Sequence, residues 1–596
     1  MINLRDCLSG EVVSLDPAGG ILSGQYSLTK ESDLGIHGTW PKETVLFDDG
    51  RGQITVDGQE VAFIPQTQNV KAHARKSLIR QALEDLAALI EFQEPDELVS
   101  PVIPPQLAKV VESSQLESEL SEVLDRGHLH FIAKSPRYTM RYDEELLPVS
   151  RVKRTASDYQ RHLAAHSDCW YQRTFTGIIP KKLKAKISED EYHIYENRVF
   201  ARFLDHMERY FVERLAKLRL LSELLSEGIN FNQNEDLDYR LREAICTVWG
   251  ESFKSGDAES LRGRTANQLA HFDAQLQLIR TLKQSETYKR IPGNAVVPIS
   301  LKPTNILLND PHYLKLRHLW ELWVNEVAVN SKNPQQEFLN CQDELQHYRK
   351  YTGLLIMRAF KALGWDVSAN PDATYDLSHP CGLRGQLELK SGNWELTSKA
   401  VGFETHLVIV PSLIDGPFDL ESKDRIVSLV NGAISKDTIL ASPDNLESEE
   451  LFIEFIQSWA GRLVVPWYGK EIDKLPTVMT DTWLDRSSTK TFRDVGSIDP
   501  TEFEAWLKDF NLSSSVKQAV ERSFFAARFI HHCPCCSRTV EAGGYEVREG
   551  RGFIAECQLC AAEWQVRSTG SQWLFEIGSS IDGSVKAGRW KTVSHL

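Results

Sequence analysis

Gln386-Leu-Glu-Leu-Lys-Ser-Gly-Asn-Trp-Glu-Leu-Thr397 alternates apolar and polar residues on both sides of Ser391-Gly-Asn. That is the pattern of two antiparallel strands joined by a tight turn, with Ser391-Gly-Asn as the turn. Strand-like runs surround it, at residues 373–377 and 385–390 before the turn and at 394–397 and 406–410 after it. Upstream, apolar residues recur at helical spacing over 313–329 and about 345–363, and Gly364 stands where a helix C-cap is expected. Downstream, the pattern predicts a helix near 421–434, a strand at Thr438-Ile-Leu-Ala, a helix over 449–460 and a strand at Arg462-Leu-Val-Val-Pro. The order is α-β-β-β-α-β, an α/β domain over residues 311–483.

Asp376 and, twelve residues on, Glu388-Leu-Lys390 give this region an Asp…Glu-x-Lys arrangement. Residues i and i+2 of a strand share a face, so Glu388 and Lys390 are expected to point together while Leu387 and Leu389 pack inward. Two carboxylates on adjacent strands suit Mg²⁺ or Mn²⁺, which take hard oxygen ligands. Such an ion acidifies a bound water and neutralises charge at a phosphate, and Lys390 can orient that water. Asp376, Glu388 and Lys390 are therefore candidate catalytic residues, with Glu321 on the preceding helix as a further acidic candidate. The same spacing also arises as a salt pattern on a solvated strand face. If Glu388 and Lys390 lie on the outward face of their hairpin, the nuclease reading fails.

Cys533-Pro-Cys-Cys536 and Cys557-Gln-Leu-Cys560 lie twenty residues apart near the C-terminus. Paired C-x-x-C knuckles at this separation predict a zinc ribbon over residues 529–596. Cys533, Cys536, Cys557 and Cys560 would hold Zn²⁺ tetrahedrally, with Cys535 able to replace Cys533 or Cys536. Four thiolates leave no open position, so the site is structural. Tyr545-Glu-Val-Arg and Gly552-Phe-Ile-Ala-Glu alternate as a hairpin between the knuckles. A redox pair or a disulfide is the alternative. His531-His532 reads as a spare ligand or an exposed loop pair. Cysteines 7, 169, 246, 341 and 381 are scattered singly, the pattern of reduced thiols in a cytoplasm.

The fold class is multidomain α+β. Residues 1–130 read as β-rich with helices; Asp57-Gly58 is a hairpin turn, a helix covers 70–92, a linker runs from Glu94 to Pro105 and another helix follows to about 125. Residues 131–310 read as helical. A long amphipathic run over 192–225 puts Phe200, Phe203, Leu204, Met207, Phe211, Leu215 and Leu218 on one face, and Lys181-Lys-Leu-Lys-Ala-Lys186 reads as a solvated helix end able to touch phosphate. Residues 484–528 are a linker and a helix. The net charge of −15 argues against a dedicated nucleic-acid coat, so contact with nucleic acid is expected to be local. No apolar run reaches the ~18–20 residues that span a bilayer, and the N-terminus lacks the features of a signal peptide. A Gly-x-x-x-x-Gly-Lys-Ser/Thr motif is absent, which excludes a P-loop ATPase.

Four segments together resemble a known family: Pro148-Val-Ser-Arg-Val-Lys-Arg154; Tyr159-Gln-Arg-His-Leu-Ala-Ala-His166 continuing to Trp170; Tyr195-Glu-Asn-Arg-Val-Phe-Ala-Arg-Phe-Leu204; and Pro303-Thr-Asn-Ile-Leu with Tyr313 and Trp320. They are similar to the domain found beside McrC-like nucleases in bacterial restriction and phage-defence systems. The resemblance covers roughly residues 130–400. It implies a β-rich region and a helical region bearing Glu-Asn-Arg ahead of a PD-(D/E)xK nuclease fold, with Asp376, Glu388 and Lys390 at the motif positions. It also implies DNA as substrate and a separate motor ATPase as partner. Lys390 is followed by Ser-Gly-Asn where the family continues Asp-Ala-Lys-Tyr, no later helix bearing Gln or Tyr is evident, and the ribbon is an addition. The expectation is a metal-dependent DNA nuclease of a prokaryotic defence system. The alternatives are a catalytically inactive adaptor on the same fold and, more remotely, a zinc-ribbon nucleic-acid sensor. Glu196 and Arg198 are expected to pair with neighbouring elements and order the helical region.

Overall fold

Ser391 and Gly392, with φ of 50° and 79°, form a two-residue turn that sets the register of the central sheet. The computed structural model describes residues 2–15, 20–65, 70–90, 111–175, 177–233, 257–328, 333–370, 372, 374–379, 382–400, 403–414, 425–430, 438–445, 448–464, 500–533, 538, 540, 544–548, 552–559, 562–568, 573–577 and 592–595. The sheet has seven strands: β1 Asp366–Ala369, β2 Thr374–Ser378, β3 Arg384–Lys390, β4 Asn393–Ala400, β5 Phe403–Ser412, β6 Arg425–Leu429 and β7 Thr438–Leu440. Their order across the sheet follows the chain; β1 to β5 form an antiparallel meander, and β6 and β7 join it in parallel.

Three expectations are corrected here. The described part of 421–434 is strand β6, not helix. Its residues from Ile426 to Leu429 are all buried, Ser428 included, as in a parallel strand covered on both faces, and so short a run has no polar alternation to separate strand from helix. Arg462-Leu-Val closes the helix Ser448–Val464 instead of forming a strand. The hairpin turn also takes two residues, not three, because Asn393 already pairs with Lys390.

One face of the sheet carries the main core. Helices α1 Val70–Ile90, α2 Pro334–Ala362 and α3 Ser448–Val464 contribute to it. The α2 helix starts where the Asn333 side chain accepts the Gln335 N–H at 3.1 Å and Pro334 occupies the first turn. It stops at Gly364, whose φ of 77° suits a C-terminal glycine. Tyr348, Leu355, Ile356 and Phe360 of α2 pack with Leu377, Leu387, Leu396 and Ile409 of the sheet, and Phe452 and Ile456 of α3 join them. The buried Tyr348 hydroxyl lies 2.8 Å from Ser428 Oγ and donates to the Ala441 carbonyl at 2.9 Å, so its burial leaves no polar group unmet.

Gly353 of α2 allows the closest approach in this core. A Cβ there would lie 2.1 Å from Trp394 Cζ2, and the Trp394 indole is held by donating to the Arg349 carbonyl at 2.9 Å. On an open helix, alanine for glycine stabilises by about 1 kcal/mol. Here the sign reverses: Gly353→Ala is expected to cost about 1–3 kcal/mol through overpacking. A lower urea midpoint at unchanged m-value would show it; a midpoint at or above wild type would mean that Trp394 yields freely.

The chain divides into two compact units, one of Met1–Val110, Arg219–Thr265 and Asn333–Leu596, the other of Val111–Leu218 and Ala266–Lys332. In the first, Ile2–Asp6, Val12–Leu15 and Tyr26–Leu28 form a three-stranded sheet, and Gln53–Val56 pairs with Gln59–Ala62 across Asp57-Gly58, both at positive φ. The single helix expected within 484–528 is two, Pro500–Lys508 and α4 Ser514–His531. A five-stranded antiparallel sheet follows: β8 Tyr545–Arg548, β9 Gly552–Glu556, β10 Glu563–Ser568, β11 Trp573–Ile577 and β12 Thr592–His595. The hairpin expected from Tyr545-Glu-Val-Arg and Gly552-Phe-Ile-Ala-Glu is the β8–β9 pair. The linkers expected at 94–105 and 484–499 lie outside the described residues.

The second unit is not all helical. Thr139–Pro148 pairs with Lys182–Glu191 over ten residues, and Trp170–Thr174 pairs with Gly177–Pro180. The 181–186 run is thus mostly strand, not a helix end. Strands exposed on both faces show no apolar period, so pattern reading misses them. The helix Tyr195–Gln233 begins at the Tyr-Glu-Asn-Arg motif. Asn197 organises its start, donating to the carbonyls of Arg137 (2.9 Å) and Tyr192 (2.8 Å) and accepting from the Tyr313 hydroxyl (2.6 Å). Arg198 donates to the His193 carbonyl at 3.3 Å. The motif therefore orders this unit, chiefly through Asn197 and not the expected Glu196.

Candidate functional site

The meander places Asp376 on β2 and Glu388 and Lys390 on β3. Directly paired residues of antiparallel strands share a face, and the pairs are Thr374 with Glu388, Asp376 with Gln386, and Glu388 with Glu395. All three predicted residues therefore share one face. Asp376 and Glu388 are diagonal neighbours, a relation with Cα atoms about 7–8 Å apart. The Asp376 carboxylate accepts from Asn370 Nδ2 at 3.0 Å. Lys390 Nζ stands 4.0 Å from Glu388 and 3.9 Å from Glu395, and Glu395 lies 3.1 Å from His406 Nε2. Glu388 and Glu395 face each other as like charges, and Lys390 offsets their repulsion. Lys390 is 63% exposed, so these contacts are screened and add little stability.

This face is turned away from α2, and Leu389, expected inside, is 42% exposed. This outward placement is the one on which the nuclease reading was expected to fail. Here the inward face is filled by the α2 core, and the outward face is the side a macromolecule can reach. Toward β5 and β6 the same face becomes apolar: Val408, Val410, Val427 and Leu429 are buried with Leu8 of the N-terminal segment. The polar half is what stays open.

Glu395 and His406 were not visible in the Asp…Glu-x-Lys pattern. A two-residue turn at Ser391-Gly392 makes the pairing of 388 with 395 a matter of counting, so the signal for Glu395 was present. Glu321 belongs to the second unit and pairs with Arg317 one turn back at 2.8 Å. Among the described residues, no group of three or more His, Cys, Asp or Glu is arranged to hold a metal ion.

Cys533 and Cys557 are 1% and 4% exposed and belong to the main core cluster with Val540, Ala555 and Trp564. The Cys533 N–H donates to the Arg538 carbonyl at 2.8 Å, and the Cys557 N–H donates to the Ala562 carbonyl at 2.9 Å. Each of these bonds joins the first cysteine of its pair to the carbonyl five residues later. Cys535, Cys536 and Cys560 lie outside the described residues. His532 is buried at the end of α4, its Nδ1 donating to the Arg528 carbonyl at 2.6 Å, and is not the exposed loop residue expected.

His379 follows β2, with its ring 5.1 Å from that of Trp365 and 5.8 Å from that of His532. Burial, reinforced by neighbouring His532, pushes its pKa down to about 3. An unfolded histidine titrates near ~6.5. Below that pH the unfolded chain binds a proton that the folded chain refuses, so stability is lost as pH falls from 6.5 toward 3. The expected slope is about 1 kcal/mol per pH unit. Urea midpoints at pH 7 and 5.5 should converge in His379→Gln; an equal loss in wild type and variant would assign the slope elsewhere.

The second unit carries a basic stretch on this acidic chain. Residues 151–186 hold nine Lys or Arg against two Asp. Arg151, Lys153, Arg154, Arg173, Lys181 and Lys182 are exposed, and so are Tyr138, Tyr142, Tyr171 and Phe175 on the same ribbons. The Arg154 and Arg173 guanidinium groups lie 6.0 Å and 5.9 Å from the rings of Tyr142 and Trp170. Cations beside exposed rings can follow a phosphate backbone and stack bases.

No protein-family model, curated protein or solved structure matches this chain. Among the described residues no helix is long and apolar enough to cross a membrane.

Proposed function

We propose that the chain is a PD-(D/E)xK-like DNA nuclease, a subunit of a prokaryotic restriction or anti-phage defence system that works inside the cell. The observation that carries this reading is the common, open sheet face of Asp376, Glu388 and Lys390 on an antiparallel meander continued by parallel strands. Two carboxylates are a sparse donor set. That fits Mg²⁺ or Mn²⁺, which takes one or two carboxylates and completes its shell with water and substrate phosphate. Asp376 and Glu388 would hold the ion, which when bound acidifies water and neutralises phosphate charge. The Lys390 ammonium stands beside Glu388, where it can hold a water and balance charge at the scissile phosphate. The basic ribbons of the second unit supply sequence-independent grip on DNA. Zinc held by Cys533, Cys536, Cys557 and Cys560 would tie the C-terminal sheet to α4; the burial and matched backbone hydrogen bonds of Cys533 and Cys557 fit that role. Lacking a P-loop motif, the chain would take translocation from a separate motor ATPase.

The second reading is an adaptor that binds DNA and an ATPase without cutting. It is favoured by the Asn370 bond that already occupies one Asp376 oxygen. Cleavage of plasmid and linear DNA with Mg²⁺ or Mn²⁺, in wild type and Lys390→Ala, separates the two.

A further inference from the structure

Three arginines from distant parts of the first unit line one cavity of about 130 Å³. Arg5 comes from the first strand, Arg349 from α2 and Arg425 from the start of β6. The Nε atoms of Arg5 and Arg349 are buried without a hydrogen-bond partner. Arg425 donates through Nε to the Leu8 carbonyl at 2.7 Å and through Nη2 to the Cys7 carbonyl at 3.3 Å. Asp6, Glu43 and Glu395 also line the cavity, yet each is turned to another partner. Asp6 accepts the Leu8 N–H, Glu43 accepts the Ser391 hydroxyl at 3.0 Å, and Glu395 meets Lys390 and His406. Among the described residues none of the three arginines forms an ion pair with a carboxylate.

The backbone is shaped to admit these groups. A Cβ on Gly10 would lie 2.7 Å from Arg425 Nη1, and one on Gly392 would lie 2.2 Å from Arg349 Nη2. Both glycines are at positive φ, 78° and 79°. Burial pulls the pKa of Arg349 and of Arg425 below the ordinary arginine value, as expected where desolvation outweighs compensating charge. Glu43 acts on Arg349, and Asp6 and Glu395 on Arg425, without pairing directly, which offsets only part of the desolvation cost, and a planar guanidinium fork matches the oxygens of phosphate.

We propose that this cavity binds a phosphate-class oxyanion, held jointly by Arg5, Arg349 and Arg425. Its volume is about ten times the space one water requires, room for one or two phosphoryl groups. A free anion and the terminal phosphate of a nucleic-acid strand share this chemistry. The site is independent of the nuclease reading, because binding can be read without divalent metal and without cleavage.

The test is calorimetry on the full chain at constant ionic strength, titrating inorganic phosphate, inorganic pyrophosphate, and an oligonucleotide with a 5′-phosphate or a 5′-hydroxyl. Saturable binding of phosphate or pyrophosphate is expected, about 10- to 100-fold weaker in Arg349→Met and in Arg5→Met. Tighter binding of the 5′-phosphorylated strand than of its hydroxyl counterpart would assign a strand end; preference for pyrophosphate would assign a free anion. A crossover in stability is also expected. Without phosphate each variant melts at or above the wild-type temperature, and the phosphate-dependent rise seen in wild type is lost. Either variant alone suffices if the other fails to fold. Absence of saturable binding in wild type, or undiminished binding in both variants, overturns the proposal.

Discussion

Lys390→Ala is expected to lower metal-dependent DNA cleavage by about 10²–10⁴-fold, the span that a positioned proton-handling group supplies. The fold should hardly notice. Lys390 is largely exposed, and its contacts with Glu388 and Glu395 are about 4 Å long, so their contribution to stability falls within the ~0–1 kcal/mol of surface pairs. Activity and stability therefore separate at this position, which makes the variant informative. Glu388→Gln should match it in activity, since an amide is a poor ligand for a hard cation. Glu395→Gln removes the carboxylate opposite Glu388 and leaves the motif intact; a smaller loss is expected there. Equal cutting by wild type and Lys390→Ala would place the activity at another site or in a contaminant. No cutting by either, with both metals and with the products of neighbouring genes, would establish the adaptor reading.

The second large effect is on the proposed zinc centre. Cys557→Ser is expected to abolish bound zinc and to unfold the C-terminal sheet. Structural zinc in small domains contributes an apparent ~10–16 kcal/mol of binding free energy that is also folding free energy. The damage should extend beyond the ribbon, because Cys533 and Cys557 sit in the same buried cluster as Ala526, Phe529, Ile530 and Trp564. The Trp564 indole donates to the Ile530 carbonyl at 3.0 Å, joining β10 to α4. Zinc content by elemental analysis, with melting followed by tryptophan fluorescence, reads both consequences. Cys535→Ser should retain zinc if Cys533 and Cys536 are the ligands. Wild type purified under reducing conditions without zinc would remove the centre.

The parts legible in the sequence are those encoded within a few residues of themselves. Leu387, Glu388 and Lys390 declare a strand by alternation, Asp57-Gly58 declares a turn by its tolerance of positive φ, and Phe200 to Leu218 declare a helix by their spacing. Errors fell where local pattern carries no such information. Ile426 to Leu429 show no alternation because β6 is buried on both faces, with Ser428 buried as fully as its apolar neighbours. The ribbon strands of the second unit are polar without a period because both of their faces are open.

From the sequence alone came the central hairpin and its two neighbouring strands, the shared side of Glu388 and Lys390, and the spacing of the paired C-x-x-C motifs; the strand Asp366–Ala369 was not read. Each follows from bond geometry over a few residues. Folding in three dimensions added the rest: Glu395 and His406 beside Lys390, β6 as a parallel strand, and Arg5, Arg349 and Arg425 around one cavity. Arg5 lies hundreds of residues before the other two, and Arg349 and Arg425 sit on different elements. No local period records such a meeting, because burial of the core on α2 and the N-terminal segment brings them together.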